Sequence, residues 1–308
     1  MPLTAATATW LAMGTTVTVR LAGRGAEDGL GLAHRRIAEL EARWSRFRPD
    51  SDVGRLNRAA GEAVPVHPET LELLDTARTW WQVTGGRFDP TVADALMAAG
   101  YDGDRAAGHG PIGTGTPAPG LADLVVDRRS STAALPEGVR IDLGGIGKGR
   151  TADLLAAELG HLDHGLVDLG GDLRVWGGAP EGHGWPVAVD DLRDGSQLAL
   201  LGLADGAVAT SSTLVRRWRD GDREAHHLID PRTGQPVEGE VVSVTVVAGR
   251  AAPAEVLAKA GIVTGAVEAA TALLAEHGVA ALVVPAEGPV AVVGEVLDLC
   301  WTPPREVR

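Results

Sequence analysis

The feature that most constrains the fold is a series of short apolar runs between residues 121 and 250. Their lengths and patterns are typical of strands. We predict strands over the following ranges: 121–126, 139–143, 165–169, 173–176, 185–190, 198–203 and 241–248. Helical periodicity interrupts the series at 148–159 and returns at 252–276. This mixture predicts an α+β fold of largely antiparallel sheets with packed helices, rather than a regular alternation of parallel strands and helices.

The first hundred residues add further elements to this prediction. Apolar and polar residues alternate over 16–21, the period of two that is typical of a half-buried strand. Helices are predicted over 30–44 and 68–83, and a third begins at Pro90.

No linker divides the chain, so we predict a single domain over residues 1–308. The composition is 44% hydrophobic and 22% charged, which is ample for a core. The Gly/Pro/Thr-rich run at 105–120 is expected to be a flexible surface loop.

Charge and composition narrow the functions to consider. The formal net charge of −13 argues against nucleic acid as a partner, because its phosphates would be repelled. Cys300 is the only cysteine, so no internal disulfide can form. No run of about eighteen apolar residues predicts a membrane span. The N-terminus lacks a basic region followed by a leucine-rich core, and we therefore expect a cytoplasmic protein.

The stretch "IDLGGIGKGRTAD" at 141–153 is a glycine-rich turn followed by a helix, a pattern that suits phosphate binding. A purely structural turn accounts for it equally well. A dinucleotide-binding turn is a third interpretation, since Gly147, Gly149 and Ala152 satisfy G-x-G-x-x-A and Asp168 follows at the distance of a ribose-binding carboxylate. The spacing excludes a Walker A loop.

Three other polar stretches favour a phosphate site. "GRFDPTV" at 86–92 and "HHLIDPRTG" at 226–234 each carry Asp-Pro followed closely by threonine. "AVATSSTLVRRW" at 207–218 places small hydroxyl residues before paired arginines. Each alone is typical of a structural turn. Together, in an acidic protein, such loops are where a phosphate site is built.

Eight motifs, in chain order, resemble the ApbE-type flavin transferases, also called FAD:protein FMN transferases. They are "MGTTVTV" (13–19), "SRFRPDSDVGRLN" (45–57), "GGRFDPTV" (85–92), "IDLGGIGKGRTAD" (141–153), "GLVDLGGDLRVWG" (165–177), "ATSSTLVRRW" (209–218), "HHLIDPRTGQPV" (226–237) and "VVSVTVVAGRAAPAEVLAKAGIVTG" (241–265). Each motif alone is weak evidence for the family, but eight motifs in order along nearly the whole chain are specific for it. A dinucleotide-dependent dehydrogenase accounts for only one of them.

The resemblance implies an α+β fold related to the T-fold, FAD as the substrate and Mg²⁺ as the metal cofactor. Members of the family split the FAD pyrophosphate. They attach FMN to a threonine or serine hydroxyl of an acceptor flavoprotein and release AMP. Some members instead hydrolyse FAD to FMN and AMP.

The resemblance also implies which residues form the site. Phe47 stands where the family often has tyrosine, so ring stacking is retained without a phenolic hydrogen bond. The Gly145 carbonyl and Glu255 are the implied metal ligands. The implied FAD contacts are Met13, Phe47, Arg87, Phe88, Asp89, Asp142, Lys148, His227 and Leu228.

The chain departs from the family in the last of these motifs. The family typically has Ala-Asp, three residues, then Thr, whereas this chain has Glu255 and Lys259. These positions are i and i+4 on a helix, so both side chains project from one face. An ordinary Glu–Lys pair worth about 0.2–0.5 kcal/mol is the structural alternative. An ammonium group has donors only, so Lys259 is a poor magnesium ligand, although its charge can neutralise the pyrophosphate directly.

Two hypotheses remain open from the sequence. The first is a flavin transferase with an altered metal site, in which Glu255 and Lys259 are the catalytic candidates. The second is a flavin-binding homologue, either an FAD pyrophosphatase only or a non-catalytic flavin carrier.

Overall fold

The computed structural model describes residues 4–101, 110–302 and 304. The predicted loop at 105–120 therefore lies partly outside the described residues, at 105–109. Its remaining part, 110–120, contains no helix or strand. Backbone hydrogen bonds join this part to neighbouring segments, and one of them runs from the Gly113 amide to the Ala98 carbonyl oxygen over 2.6 Å.

Helices and strands both occur along the whole described chain. The helices are α1 (Ala26–Trp44), α2 (Asp52–Arg58), α3 (Pro68–Val83), α4 (Ala93–Ala98), α5 (Gly147–Leu159), α6 (Ala251–Val263) and α7 (Val267–Glu276). The strands are β1 (Ala5–Ala12), β2 (Thr15–Ala22), β3 (Val64–Pro65), β4 (Val125–Asp127), β5 (Thr132–Ala134), β6 (His164–Leu169), β7 (Asp172–Trp176), β8 (Trp185–Asp190), β9 (Gln197–Leu203), β10 (Gly206–Ser212), β11 (Arg217–Asp220), β12 (Arg223–His226), β13 (Ile229–Asp230), β14 (Gln235–Pro236), β15 (Val241–Ala248), β16 (Ala280–Pro285), β17 (Ala291–Val293) and β18 (Cys300–Thr302). Within the described ranges, no helix has the length and apolar composition needed to cross a lipid bilayer.

The chain forms two compact units, each built from separate segments. Unit 1 comprises Met1–Ala38, Lys148–Leu214 and Gly239–Arg308. Unit 2 comprises Glu39–Gly147 and Val215–Glu238. Since the segments of the two units alternate along the sequence, neither unit is one continuous stretch. A single domain over 1–308 stays a prediction.

Unit 1 is built on an eight-stranded sheet in the order β1-β2-β6-β7-β10-β15-β16-β17. Every neighbouring pair of strands in it is antiparallel. A second antiparallel sheet has the order β18-β9-β8. The prediction of an α+β fold with largely antiparallel sheets is therefore confirmed.

The central strands of the large sheet are buried on both faces. Successive side chains of a strand point to opposite faces, and β10 illustrates the consequence. Ala207 packs with Ile37 of α1 and Leu155 of α5. Its neighbour Val208 packs with Val187 of β8 in a separate core. Two-sided burial explains why the neighbouring strand β15 is almost uniformly apolar rather than alternating.

Unit 2 contains α2, α3 and α4 with small antiparallel sheets. The sheets have the orders β3-β5-β4, β11-β12 and β13-β14. One core of this unit joins Leu96, Ile112, Trp218 and Ile229. The Trp218 indole N–H donates to the Ala99 carbonyl oxygen over 2.8 Å, which fixes the ring within that core.

The strands predicted at 185–190 and 241–248 coincide with β8 and β15. The prediction of a strand at 139–143 is wrong. The backbone of Ile141 forms its hydrogen bonds with a side chain there instead of with a neighbouring strand. The Asn57 side-chain oxygen accepts from the Ile141 N–H over 2.8 Å, and its amide nitrogen donates to the Ile141 carbonyl over 2.9 Å. Of the strand predicted at 121–126, only 125–126 lies in a strand, β4, and in unit 1 the strands β1, β10, β16, β17 and β18 were not predicted.

Candidate active site

A buried cluster of charged side chains lies at the start of α5 in unit 1. We call Lys148, Asp172, Glu255 and Lys259 the lysine cluster. Lys148 Nζ donates to Asp172 Oδ2 and to Glu255 Oε1, the latter over 2.6 Å. Lys259 Nζ donates to the same Glu255 oxygen over 3.1 Å. Glu255 Oε2 accepts from the Gly149 amide over 2.8 Å. Helix α5, strand β7 and helix α6 thus supply two cations and two carboxylates that balance one another.

The two lysines form the outward side of the lysine cluster. The side chains of Lys148 and Lys259 are 14% and 18% exposed, whereas those of Asp172 and Glu255 are 6% and 0% exposed. The carboxylates are therefore the more deeply buried members of the cluster, and the less buried side chains carry N–H donors. Such a surface suits an anion with several acceptor oxygens, such as a phosphate.

Burial and pairing shift the pKa values of all four groups. Burial raises the pKa of the Asp172 carboxyl group to about 6, although Lys148 opposes this shift. Burial also acts to raise the pKa of the Glu255 carboxyl group, but the two lysines outweigh this effect and lower that pKa to about 2. Burial opposes the charged form of Lys148, yet Asp172 and Glu255 outweigh it and raise the pKa of that lysine. Burial prevails at Lys259 and lowers its pKa.

Helices α5 and α6 cap each other, and this fixes Glu255. Glu255 of α6 accepts from the Gly149 amide in the first turn of α5. In return, Asp153 of α5 accepts from the amides of Ala251 and Ala252 at the start of α6, over 2.8 and 3.0 Å. A carboxylate is favoured there because helix N-termini carry unpaired N–H groups and positive charge. A Cβ atom at Gly149 would lie 2.5 Å from the Ala251 oxygen, so this approach requires glycine.

Met13 lies in the two-residue turn between β1 and β2. Both turn residues have positive φ, 50° for Met13 and 68° for Gly14, as tight hairpin turns favour. Positive φ at a residue other than glycine costs about 1–3 kcal/mol and is typical of functional sites. Met13 Sδ accepts a hydrogen bond from Thr151 Oγ1 over 3.7 Å. Since Thr151 follows Lys148 by one helical turn, Met13 lies on the face of α5 that carries Lys148.

Unit 2 holds a second group of candidate residues around Arg46. We call Arg46, Phe47, Tyr101, Asp142 and Trp218 the aromatic cluster. Arg46 Nε donates to Asp142 Oδ2 over 2.6 Å, and its Nη2 donates to the Tyr101 carbonyl oxygen over 2.5 Å. The guanidinium carbon lies 4.2 Å from the centroid of the Phe47 ring. Tyr101 stacks on Trp218 with ring centroids 5.7 Å apart.

The exposed side chain of the aromatic cluster is an aromatic ring rather than a charged group. The side chains of Arg46 and Asp142 are 6% and 13% exposed, whereas Phe47 is 41% exposed. A cation beneath an aromatic face holds that face in place through the ring quadrupole. The arrangement therefore suits a flat heteroaromatic ligand.

The turn that contains Arg87, Phe88 and Asp89 is held from within. Asp89 Oδ1 accepts from the Thr91 amide and hydroxyl over 2.8 and 2.6 Å, and Oδ2 accepts from the Trp81 indole over 3.0 Å. Burial raises the pKa of Asp89 despite these donors. Phe88 is buried and Arg87 is exposed. Of these three predicted contacts, Arg87 is the one whose side chain is open to a ligand.

The two adjacent histidines have different roles. His226 is buried; its Nδ1 accepts from the Leu228 amide over 3.3 Å, and its Nε2 lies 3.1 Å from the Val237 carbonyl oxygen, to which it donates. Burial lowers its pKa, so the ring is neutral. Leu228 is buried as well, whereas His227 is half-buried. His226 and Leu228 therefore hold the turn, and His227 is the accessible one of the predicted residues.

Three glycine amides of the glycine turn already have acceptors. The Gly144 amide donates to Asp142 Oδ1 over 2.6 Å. The Gly147 amide donates to the Leu143 carbonyl oxygen over 2.8 Å, and that of Gly149 donates to the lysine cluster. A grip on phosphate by these amides stays a prediction, whereas the lysine side chains offer donors directly.

A Rossmann-type dinucleotide site does not fit this fold. Such a site needs a strand before the glycine turn and a parallel sheet around it. Here 139–143 is not a strand, and the described strands pair in antiparallel fashion. Asp168, the candidate ribose-binding carboxylate, accepts from the Gly171 amide over 2.7 Å and closes the turn after β6.

Sequence reasoning missed Asp172 and Arg46 as parts of these clusters. Both stand in motifs that were recognised, but their partners are distant in sequence. The sequence nevertheless contained one indication of the lysine cluster. Lys148 and Lys259 are the only two lysines among 308 residues, and every other strongly basic side chain is arginine. Both lysines meet on one carboxylate.

The lysine cluster does not fit a magnesium ion. Mg²⁺ prefers oxygen ligands, but Glu255 Oε1 already accepts from two ammonium groups and Oε2 accepts from an amide. Lys259 offers donors only. Gly145, the other implied ligand, belongs to unit 2 and is half-buried. Throughout the described ranges, no three His, Cys, Asp or Glu side chains are grouped so that they could hold a metal ion.

Comparison with known proteins agrees with the fold and with the motifs. The sequence model of the ApbE family matches residues 13–296. An FAD:protein FMN transferase of Treponema pallidum is 33% identical over 271 residues, 80% of this chain and 74% of that one. The crystal structure of the ApbE protein of Thermotoga maritima has a TM-score of 0.86 and 26% identity, and the match covers 96% of this chain and 99% of that one. The apo form of the flavinyl transferase ApbE of Pseudomonas stutzeri has a TM-score of 0.80 and 27% identity, with 97% of each chain covered. Because the family match spans nearly the whole chain, this protein belongs to the ApbE family.

Proposed function

We propose that this protein is an FAD:protein FMN transferase. The hydroxyl oxygen of a threonine or serine on an acceptor protein attacks the FMN phosphorus of FAD. The bond from this phosphorus to the bridging oxygen breaks, and AMP leaves with that oxygen. The hydroxyl proton passes to solvent or to the AMP phosphate, and FMN remains attached to the acceptor as a phosphoester.

The observation that carries this proposal is that the lysines, whose ammonium groups are donors, are the less buried members of the lysine cluster. Phosphoryl transfer depends on positioning and on neutralising the charge that develops on the phosphate oxygens. Lys148 and Lys259 are held by buried carboxylates before any substrate binds. Preorganised donors of this kind need little rearrangement as charge develops.

Within unit 2, the proposed role of the aromatic cluster is to bind the flavin ring. Phe47 offers an exposed ring face, which Arg46 supports from below. Arg87 and His227 are the accessible side chains among the other predicted contacts of this unit.

The test is incubation of the purified protein with FAD and the acceptor domain of a flavinylated protein, followed by intact-mass measurement and AMP quantification. A control acceptor carries valine in place of its target threonine. We expect one FMN on the intact acceptor, an equal amount of AMP, and no FMN on the control. FMN and AMP released without attachment would favour a pyrophosphatase, and FAD that stays intact in chelator and in Mg²⁺ would rule out the enzyme.

Other expectations are secondary to this test. A magnesium requirement is implied by the resemblance, but the lysine cluster does not fit the ion, so no step above depends on it. The cytoplasmic location and the absence of a nucleic-acid partner stay predictions from the sequence.

A further inference from the structure

We propose that the Lys259 ammonium group, held beside Lys148 on the buried Glu255 carboxylate, neutralises the FAD diphosphate in place of a divalent cation, so that this chain handles FAD without a bound metal. The inference rests on the proposed function, because it takes the diphosphate of FAD as the ligand. Its distinctive content is that the site's own lysine side chains supply the positive charge that meets the diphosphate.

The first argument is the charge balance of the lysine cluster. Two ammonium groups already neutralise the two carboxylates through direct contacts. A divalent cation placed among them would meet both ammonium groups at close range, and their repulsion is strong where water is scarce. An anion placed beside Lys148 and Lys259, the less buried members of the cluster, finds N–H donors there, while the carboxylates that would repel it are buried more deeply.

The second argument is the coordination of Glu255. This carboxylate is fully buried and accepts from Lys148, Lys259 and the Gly149 amide. A metal bound to it would have to displace at least one ammonium group or the amide. Loss of the amide contact would also remove the carboxylate cap from the N-terminus of α5, so the helix geometry opposes coordination.

The third argument is the restriction of lysine to these two positions. Arginine presents a broad planar fork, whereas lysine presents a compact point charge. A compact cation is the closer substitute for a metal ion in a small space between a carboxylate and a phosphate. Lys259 is well placed for this, since its side chain is the most exposed of the four.

The same restriction makes a direct test possible. Protein labelled with ¹³C at lysine Cε should give two lysine NMR signals, which the variants Lys148→Arg and Lys259→Arg assign. We expect FAD to shift both signals in the presence of chelator. Paramagnetic Mn²⁺ equimolar with the protein should leave both signals sharp, with and without FAD. Broadening of either signal by Mn²⁺, or an FAD shift that appears only with Mg²⁺, overturns the proposal.

A matched pair of variants separates ligation from charge. Lys259→Thr and Lys259→Met both remove the cation, but only threonine supplies an oxygen ligand. In chelator, both should bind FAD about tenfold more weakly than the wild type. Mg²⁺ should restore binding to Lys259→Thr and not to Lys259→Met. Wild-type affinity of Lys259→Thr in chelator contradicts the proposal, and thermal melting shows whether each variant is folded. If the variants fail to fold, the lysine signals of the wild type decide.

Failure of this inference and failure of the proposed function give different results. FMN transfer that occurs only with Mg²⁺ would overturn the inference and leave the function intact. Lysine signals that shift with FAD in chelator, without FMN transfer or AMP release, would support the inference and overturn the function.

Discussion

The lysine cluster of unit 1 and the aromatic cluster of unit 2 both bury charge, but they turn opposite faces outward. In the lysine cluster the carboxylates of Asp172 and Glu255 lie deepest and the lysine side chains are less buried. In the aromatic cluster the Arg46–Asp142 pair is buried and the Phe47 ring is exposed. In the proposed function, the first surface binds an anion through hydrogen bonds, and the second binds a flat ring through stacking.

This difference shows that one short motif contributes a residue to each of the two clusters. The stretch 141–153 supplies Asp142 to unit 2 and Lys148 to unit 1. Each of these residues pairs with a distant partner inside its unit, Asp142 with Arg46 and Lys148 with Glu255. Buried charges are tolerated only when paired, so removing a partner should be costly in both clusters.

The largest expected effect is that of Glu255→Gln on the lysine cluster. It leaves two largely buried lysine side chains with one carboxylate, so the free energy of unfolding should fall by about 3–5 kcal/mol. Urea unfolding followed by circular dichroism measures it. The control is Glu158→Gln on the same helix as Lys148; Glu158 pairs with Arg36 and is 33% exposed. That variant should lose less than about 1 kcal/mol, and equal losses in the two variants would refute the expected difference.

The aromatic cluster should respond less to loss of its cation. Arg46→Met removes the charged hydrogen bond to Asp142, which still accepts from the Gly144 amide. We expect a loss of about 2 kcal/mol in unfolding free energy, together with weaker FAD binding in a fluorescence titration. Arg232→Met is the control, because Arg232 pairs with Asp230 at 70% exposure. If the Arg46 variant matches this control in both measurements, Arg46 neither stabilises the protein nor supports FAD binding.

The close approach of α5 and α6 can be tested without changing any charge. Gly149→Ala places a Cβ against the backbone of Ala251, and we expect it to destabilise the protein by about 1–3 kcal/mol. Gly147→Ala is the matched control, since a Cβ there meets nothing within 4 Å. Its effect should stay within about 1 kcal/mol of the wild type. A tolerated Gly149→Ala would show that the two helices can separate, and thermal unfolding measures both variants.

The smallest effect concerns the pH dependence of stability through His226. Its pKa in the folded protein is lowered from 6.5 by burial, so the unfolded chain takes up the proton first. The contribution is fully present above pH 6.5 and is lost as the pH falls through this value towards the folded-state pKa, with a slope of at most about 1.4 kcal/mol per pH unit. His226→Gln should remove this slope, and His227→Gln should retain it. Urea unfolding at several pH values decides, and equal slopes for the wild type and His226→Gln would contradict the burial argument.

By itself the sequence determined the fold class and the position of most elements in unit 1. Strand and helix patterns are local properties, so β8 and β15 were located to the residue. It also determined the family, since the eight motifs are read along the chain in order. The change to Glu255 and Lys259 was likewise visible in the sequence alone.

Only the tertiary structure decided what those residues do. It joined Lys148 to Asp172 and Glu255, and it buried the two carboxylates more deeply than the two lysine side chains. It also replaced the predicted strand at 139–143 with contacts to the Asn57 side chain. The physical reason is that burial and charge pairing depend on partners far apart in the chain, which no local pattern specifies.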